Sequence, residues 1–297
     1  MAERSLNWVM PIMRAGYAAR GLVYVVVGGV AVWSAWLGGS GQGTTGALST
    51  LRNEPFGQTL LWVMAAGLWA YMIWRFLDAA LDLEDYGADG KGLVSRAGLV
   101  ATGVIHGAIG VSVASLAMGG NASGGGGGGS GTQGFVSQVM QMPGGRWIVG
   151  AIGLGVIGAG IYYAYKGFAE KYKEDIVNTS ATERLEPVLK FGLIAEGVVV
   201  GIVGVLIAYA AFTLDPSEAG GVGAAFEQIR AAPFGRILLI VIALGLIGFG
   251  IENFIEAIYR VVPKLRDPDT QTMAMHARAE AERAKRKAEG KARRAVS

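Results

Sequence analysis

No cysteine occurs in the 297-residue chain, which excludes disulfides, thiolate metal sites and cysteine nucleophiles. Charge is scarce: 16% of residues are charged, 52% are hydrophobic and the mean hydropathy is +0.41, values that exclude a disordered chain and argue against a water-soluble globule. Histidine is limited to His106 and His276, and only His106 lies in an apolar run, so a bis-histidine haem site is excluded. What is plentiful is glycine, 48 residues against a soluble average of roughly 7%. The class this composition describes is an integral membrane protein. The net charge of +3 belongs to one end, because residues 263–297 carry ten Lys/Arg against five Asp/Glu.

Six apolar stretches are long enough to cross a bilayer, which takes about 20 residues: 16–37, 60–77, 98–118, 147–165, 191–214 and 237–258. None alternates as a barrel strand would, and peptide groups in hydrocarbon must be satisfied within their own segment, so all six are expected to be helices. The polar and aromatic start lacks a small-residue cleavage site, so no removable signal peptide is expected. With the N-terminus inside, 22 Lys/Arg flank the spans on the inner side and 4 on the outer side. That excess places both termini in the cytoplasm.

The chain repeats itself three times. RAGYAARGLVYVVVG from Arg14, RAGLVATGVIHGAIG from Arg96 and KFGLIAEGVVVGIVG from Lys190 share a basic residue with glycines two, seven and fourteen places later. A second pattern follows each: PFGQ from Pro55, PGGR from Pro143 and PFGR from Pro233, with a glycine twelve places on at Gly67, Gly155 and Gly245. Each unit has two spans, so the units are parallel repeats, expected around a pseudo-threefold axis along the membrane normal. Before each proline a short amphipathic stretch is suited to lie as a helix on the outer surface. The units are residues 14–86, 96–173 and 190–262, between a lead-in of 1–13 and a basic tail of 263–297. The second unit departs from its fellows in having PGG for PFG and a glycine-rich outer loop at 119–134, read as a flexible insert because it lacks the Gly-Lys-Ser/Thr of a phosphate loop.

These thrice-repeated motifs and the six-span layout resemble the bacterial membrane proteins grouped as domain of unknown function 1206, over roughly residues 14–260. The resemblance implies a six-helix bacterial membrane protein and brings no activity or site residues with it; the inner membrane is the expected location.

In lipid, helices associate through close packing of small residues. Gly103 and Gly107, Gly197 and Gly201, and Gly155 and Gly245 are the expected packing positions. The GxGxxG at Gly153–Gly158 lies inside an apolar span with no preceding strand, so it reads as packing, not dinucleotide binding.

Ionisable groups in a span are costly and therefore informative. Arg20, Thr102 and Glu196 are equivalent positions, each six residues past the basic start, roughly 9 Å along a helix. Two readings are open: the three converge on the axis, with His106 four residues deeper, as a polar path; or Arg20 snorkels to headgroups, Glu196 pairs with a neighbouring Arg or Lys, and His106 is simply packed. Arg75 with Asp78, and Glu252 with Glu256, are expected as charged pairs near the inner interface. Trp33, Trp36, Trp62, Trp147, Tyr162 and Tyr163 are expected as interfacial anchors.

No catalytic constellation, metal cluster or cofactor motif is found in the sequence, so no cofactor or metal is expected. The expected partners are the bilayer, anionic headgroups attracted by the basic tail, and a protein of unknown identity; without aromatics among its charges the tail is not expected to bind nucleic acid. The expected role is a non-enzymatic structural or interaction module; the alternatives are a small-solute or ion conduit along the axis and, third, a membrane-embedded enzyme.

Overall fold

The computed structural model describes residues 8–38, 42–120, 129–177, 179–263 and 265. The basic tail, apart from residues 263 and 265, and residues 121–128 of the glycine-rich stretch lie outside the described residues, whereas its residues 129–134 are helical and open α5 instead of forming loop. Nine α-helices are found among them. Six are long and apolar: α1 (Val9–Trp36), α3 (Gly57–Leu81), α4 (Gly90–Ala117), α6 (Gly145–Phe168), α7 (Ser180–Thr213) and α9 (Gly235–Tyr259). Three are short: α2 (Thr44–Arg52), α5 (Gly129–Met140) and α8 (Val222–Ala231), each between the two long helices of one unit. The long helices run past the apolar stretches. Thr179 and Thr182 cap each other's backbone to start α7 well before its apolar part, and the Asp89 carboxylate caps α4.

The proline motif folds alike in all three units. The residue after the proline, Phe56, Gly144 or Phe234, takes a left-handed conformation and begins the next long helix. The glycine that follows sits against the closing carbonyls of the short helix, leaving no room for a Cβ. The second unit's PGG is the unstrained version of this turn, because glycine adopts positive φ freely.

The long helices pack side by side in the order α4, α3, α1, α9, α7, α6. The row curls into an arc, since Tyr163 of the last helix reaches Arg20 of α1. Near the short helices the arc is filled by an apolar cluster that includes Val27, Leu68, Val113, Val199, Phe226 and Leu239. At the opposite end Val177 and Val261 exchange backbone hydrogen bonds with Tyr259 and Asp175, tying the link between units two and three to the segment after α9.

Backbones touch where glycines face each other. A Cβ at Gly160 would lie 2.6 Å from the Gly201 nitrogen, and one at Gly21 would lie 2.7 Å from the Gly250 carbonyl. Within unit one, Gly16 meets the Tyr71 backbone and Gly67 meets Ala19; within unit three, the equivalent Gly192 meets Phe249 and Gly245 meets Ala195. Unit two breaks this rule. Its helices α4 and α6 are not a packed pair, and its counterparts are open: Gly98 and Gly155 have nothing within 4 Å of a Cβ, and Ala101 and Ala159 are exposed. Gly155 is thus not a packing position, because α6 turns Gly153 and Gly160 toward α7 instead. Gly103, Gly107, Gly197 and Gly245 do face neighbours, whereas a Cβ on Gly201 would meet nothing even though its backbone lies against Gly160.

This pattern makes a paired prediction. Gly160→Ile should lower stability by about 1–3 kcal/mol through overpacking, and Gly155→Ala should leave it unchanged or raise it by up to about 1 kcal/mol, both read by unfolding in detergent.

Candidate functional site

Two polar layers lie inside the bundle. The deeper one centres on Arg20, which is 4% exposed. Its guanidinium donates to the hydroxyls of Tyr71 at 3.3 Å and Tyr163 at 3.2 Å and to Asn253 Oδ1 at 3.2 Å, drawing on α3, α6 and α9. The Phe249 ring centre lies 4.9 Å away. Arg20 forms no ion pair within 4.0 Å among the described residues, and its Nε has no hydrogen-bond partner. Arg20 therefore does not snorkel: Phe249 and the tyrosines of the neighbouring helices enclose it.

Glu196, on α7, is also buried, and it accepts a 2.5 Å hydrogen bond from the Tyr24 hydroxyl, not from an arginine or lysine. Thr102 does not join Arg20 and Glu196, since its hydroxyl returns to the Gly98 carbonyl of its own helix. His106 Nδ1 lies 2.8 Å from the Thr102 carbonyl, which makes that nitrogen the donor, and the ring stands 4.8 Å from that of Tyr71. Tyr163, expected as an anchor, belongs to this layer; Trp33, Trp36, Trp147 and Tyr162 are exposed as anchors are.

The second layer lies toward the end opposite the short helices. Arg75 donates to the Tyr71 hydroxyl at 2.9 Å and the Tyr17 hydroxyl at 2.8 Å, and stands 3.6 Å from Asp78 and 3.9 Å from Glu84. Arg260 binds Glu84 and, at 2.7 Å, Glu256. Lys166 meets Asp175 at 2.7 Å and Glu256 at 3.6 Å. Tyr71 joins the layers, since its one hydroxyl accepts from both Arg20 and Arg75. Glu252 is 3% exposed, yet it makes neither a hydrogen bond nor an ion pair among the described residues; Glu256, one turn on, takes the cations.

Sequence reasoning did not reach Tyr17, Tyr71, Glu84 or Arg260. The signal was available in the repeats: Arg75, Tyr163 and Asn253 all fall twenty residues after their prolines, and all bind or bracket the same tyrosine–arginine group. No group of three or more His, Asp or Glu that could hold a metal occurs among the described residues.

Six membrane-length apolar helices in three repeated units, enclosing a charged interior, define a multi-pass membrane protein. The family described as Domain of Unknown Function (DUF1206) matches the chain three times, at residues 15–82, 97–170 and 191–260, and the chain belongs to that family. A relative, the Uncharacterized protein YxxB of Bacillus subtilis (strain 168), is 28% identical over 262 residues, which cover 87% of this chain and 94% of that one. No solved structure matches.

Glu84 provides a pH test of the second layer from outside the spans. Burial by itself would push its carboxyl up, but the Arg260 and Arg75 guanidiniums outweigh burial and hold it below its ordinary value of 4.5. A lowered value means that the stabilisation is fully present above the unfolded value and is lost as pH falls through the folded one. Thermal unfolding should therefore show wild type losing stability below about pH 4.5, with Glu84→Gln losing less over that range and starting roughly 1.5–3 kcal/mol lower at neutral pH.

Proposed function

We propose that this chain is a non-enzymatic structural or interaction module of the bacterial inner membrane, with both termini in the cytoplasm. The observation that carries the reading is the filled centre of the arc. Arg20, Tyr24, Tyr163 and Phe249 interlock at the level of the intramembrane charges, and the apolar cluster of Leu68, Val199 and Leu246 occupies the centre beyond them. A centre packed in this way supports action through the outer surface of the bundle. The basic tail adds attraction to anionic headgroups, at about 1 kcal/mol for each Lys or Arg near the surface.

A conduit is the second reading. It rests on the buried polar chain that leads from Glu196 and Tyr24 through Arg20, Tyr71 and Arg75 toward Glu84 and Arg260. Proton and cation flux into proteoliposomes separates the two: no flux above empty vesicles is expected from wild type or from Glu196→Gln, and a wild-type flux abolished by Glu196→Gln would overturn the module reading. The orientation is tested by reporters fused to the C-terminus, where green fluorescent protein should fluoresce and alkaline phosphatase should stay inactive.

A further inference from the structure

The open seam of the second unit and the Arg20 guanidinium behind it, which has no ion pair among the described residues and an orphan Nε–H, combine into one site. We propose that the gap between α4 and α6 is a lateral entry for a single-chain amphiphile with a carboxylate head, a long-chain fatty acid, whose head binds Arg20. This goes beyond the module reading and stands whether or not the bundle conducts.

Three observations support the site. First, the seam is lined by small, exposed residues. Of the four clasp positions, three are small in every unit, and the fourth, Tyr71 or Phe249 in units one and three, is Ala159 in unit two; there Gly98 and Gly155 face open space and Ala101 and Ala159 are exposed. Glycine and alanine there leave the space between α4 and α6 open, where larger side chains would fill it.

Second, the groove leads to the cation. On α6 the stripe Gly155, Ala159 continues at the same four-residue spacing to Tyr163, which bonds Arg20. On α4 the stripe Gly98, Thr102 continues to His106, whose ring lies against Tyr71, the other hydroxyl on Arg20. Tyr163 is only partly buried, so it is the side chain that stands between the groove and the guanidinium.

Third, the site has donors to spare. Arg20 Nε–H has no acceptor, and the Tyr71 and Tyr163 hydroxyls accept from Arg20 while their own protons find no acceptor among the described residues. The nearby carboxylate Glu196 is held by Tyr24. A cation enclosed by low-dielectric surroundings with no carboxylate in contact is costly, and a carboxylate head would supply both a direct partner and the missing acceptors. A carboxylate fits better than a phosphodiester because Arg20 is 4% exposed and a carboxylate is the smaller head and matches the planar guanidinium.

The test uses the full chain in phosphatidylcholine vesicles with a diazirine-bearing fatty acid, its methyl ester as the uncharged control, and phosphatidic acid as competitor. The free acid should label residues 98–106 and 155–163 about tenfold more than the ester does. Phosphatidic acid at equal mole fraction should not displace it. The double variant Gly155→Leu, Ala159→Leu fills exposed space, so it should fold and yet lose the excess labelling. Arg20→Gln should lose it too, with Arg20→Lys restoring part, provided both unfold cooperatively. Equal labelling by acid and ester, indifference to the filled groove, or displacement by phosphatidic acid would each overturn the proposal. The chain lacks cysteine, so the pair Ala101→Cys, Gly155→Cys adds a clean check. No disulfide is expected in membranes. One formed within a chain would mean that the seam closes on itself, one between chains would mean that a second copy fills it, and either result overturns the fatty acid.

Discussion

A guanidinium placed among apolar helices must find hydrogen-bond acceptors there, and Arg20 dictates much of how this bundle is arranged. Its three partners come from three different helices, and none is a carboxylate. Neutral acceptors and aromatic faces spread the charge without fixing it to a counter-ion. The second layer solves the same problem in the opposite way, with Arg75, Arg260 and Lys166 each set against acidic groups. One tyrosine hydroxyl connects the two solutions, so a shift in either layer is felt by the other.

Packing in hydrocarbon gains little from hiding apolar area, and the glycines supply what that effect cannot. They let α6 lie directly on α7 and α1 on α9, seams that join one unit to the next. Within a unit, the clasp of Gly16 with Tyr71 and Gly67 with Ala19 recurs in unit three and is missing from unit two. The threefold pattern is therefore carried by every turn and short helix, and by five of the six helix contacts that a closed ring would need. One break is enough to turn a ring into an arc with two free ends.

Much of this was legible in the residues. Apolar length fixes the six spans, and the motif spacing fixes the three units, because both follow from local rules about hydrocarbon and backbone. Reading was weaker where outcomes depend on rotation about a helix axis. Gly155 satisfies the repeat and yet faces outward, since the seam of α6 with α7 turns its face away from α4. Thr102 sits level with Arg20 and Glu196 and still bonds only its own helix. Tyr71 and Tyr163 were hard to single out because a tyrosine near a span end serves equally as an anchor. Only the presence of a buried cation within reach decides between the two roles.

The pairing of α1 with α9 brings the first and last spans together, and Asn253, on the last, completes the coordination of Arg20, on the first. A ribosome delivers α1 to the membrane long before α9 exists. Until α9 is made, α1 holds a cation whose third acceptor, Asn253, does not yet exist. The tyrosines of α3 and α6 can be in place before then, but the Arg20 group is completed only when α9 arrives.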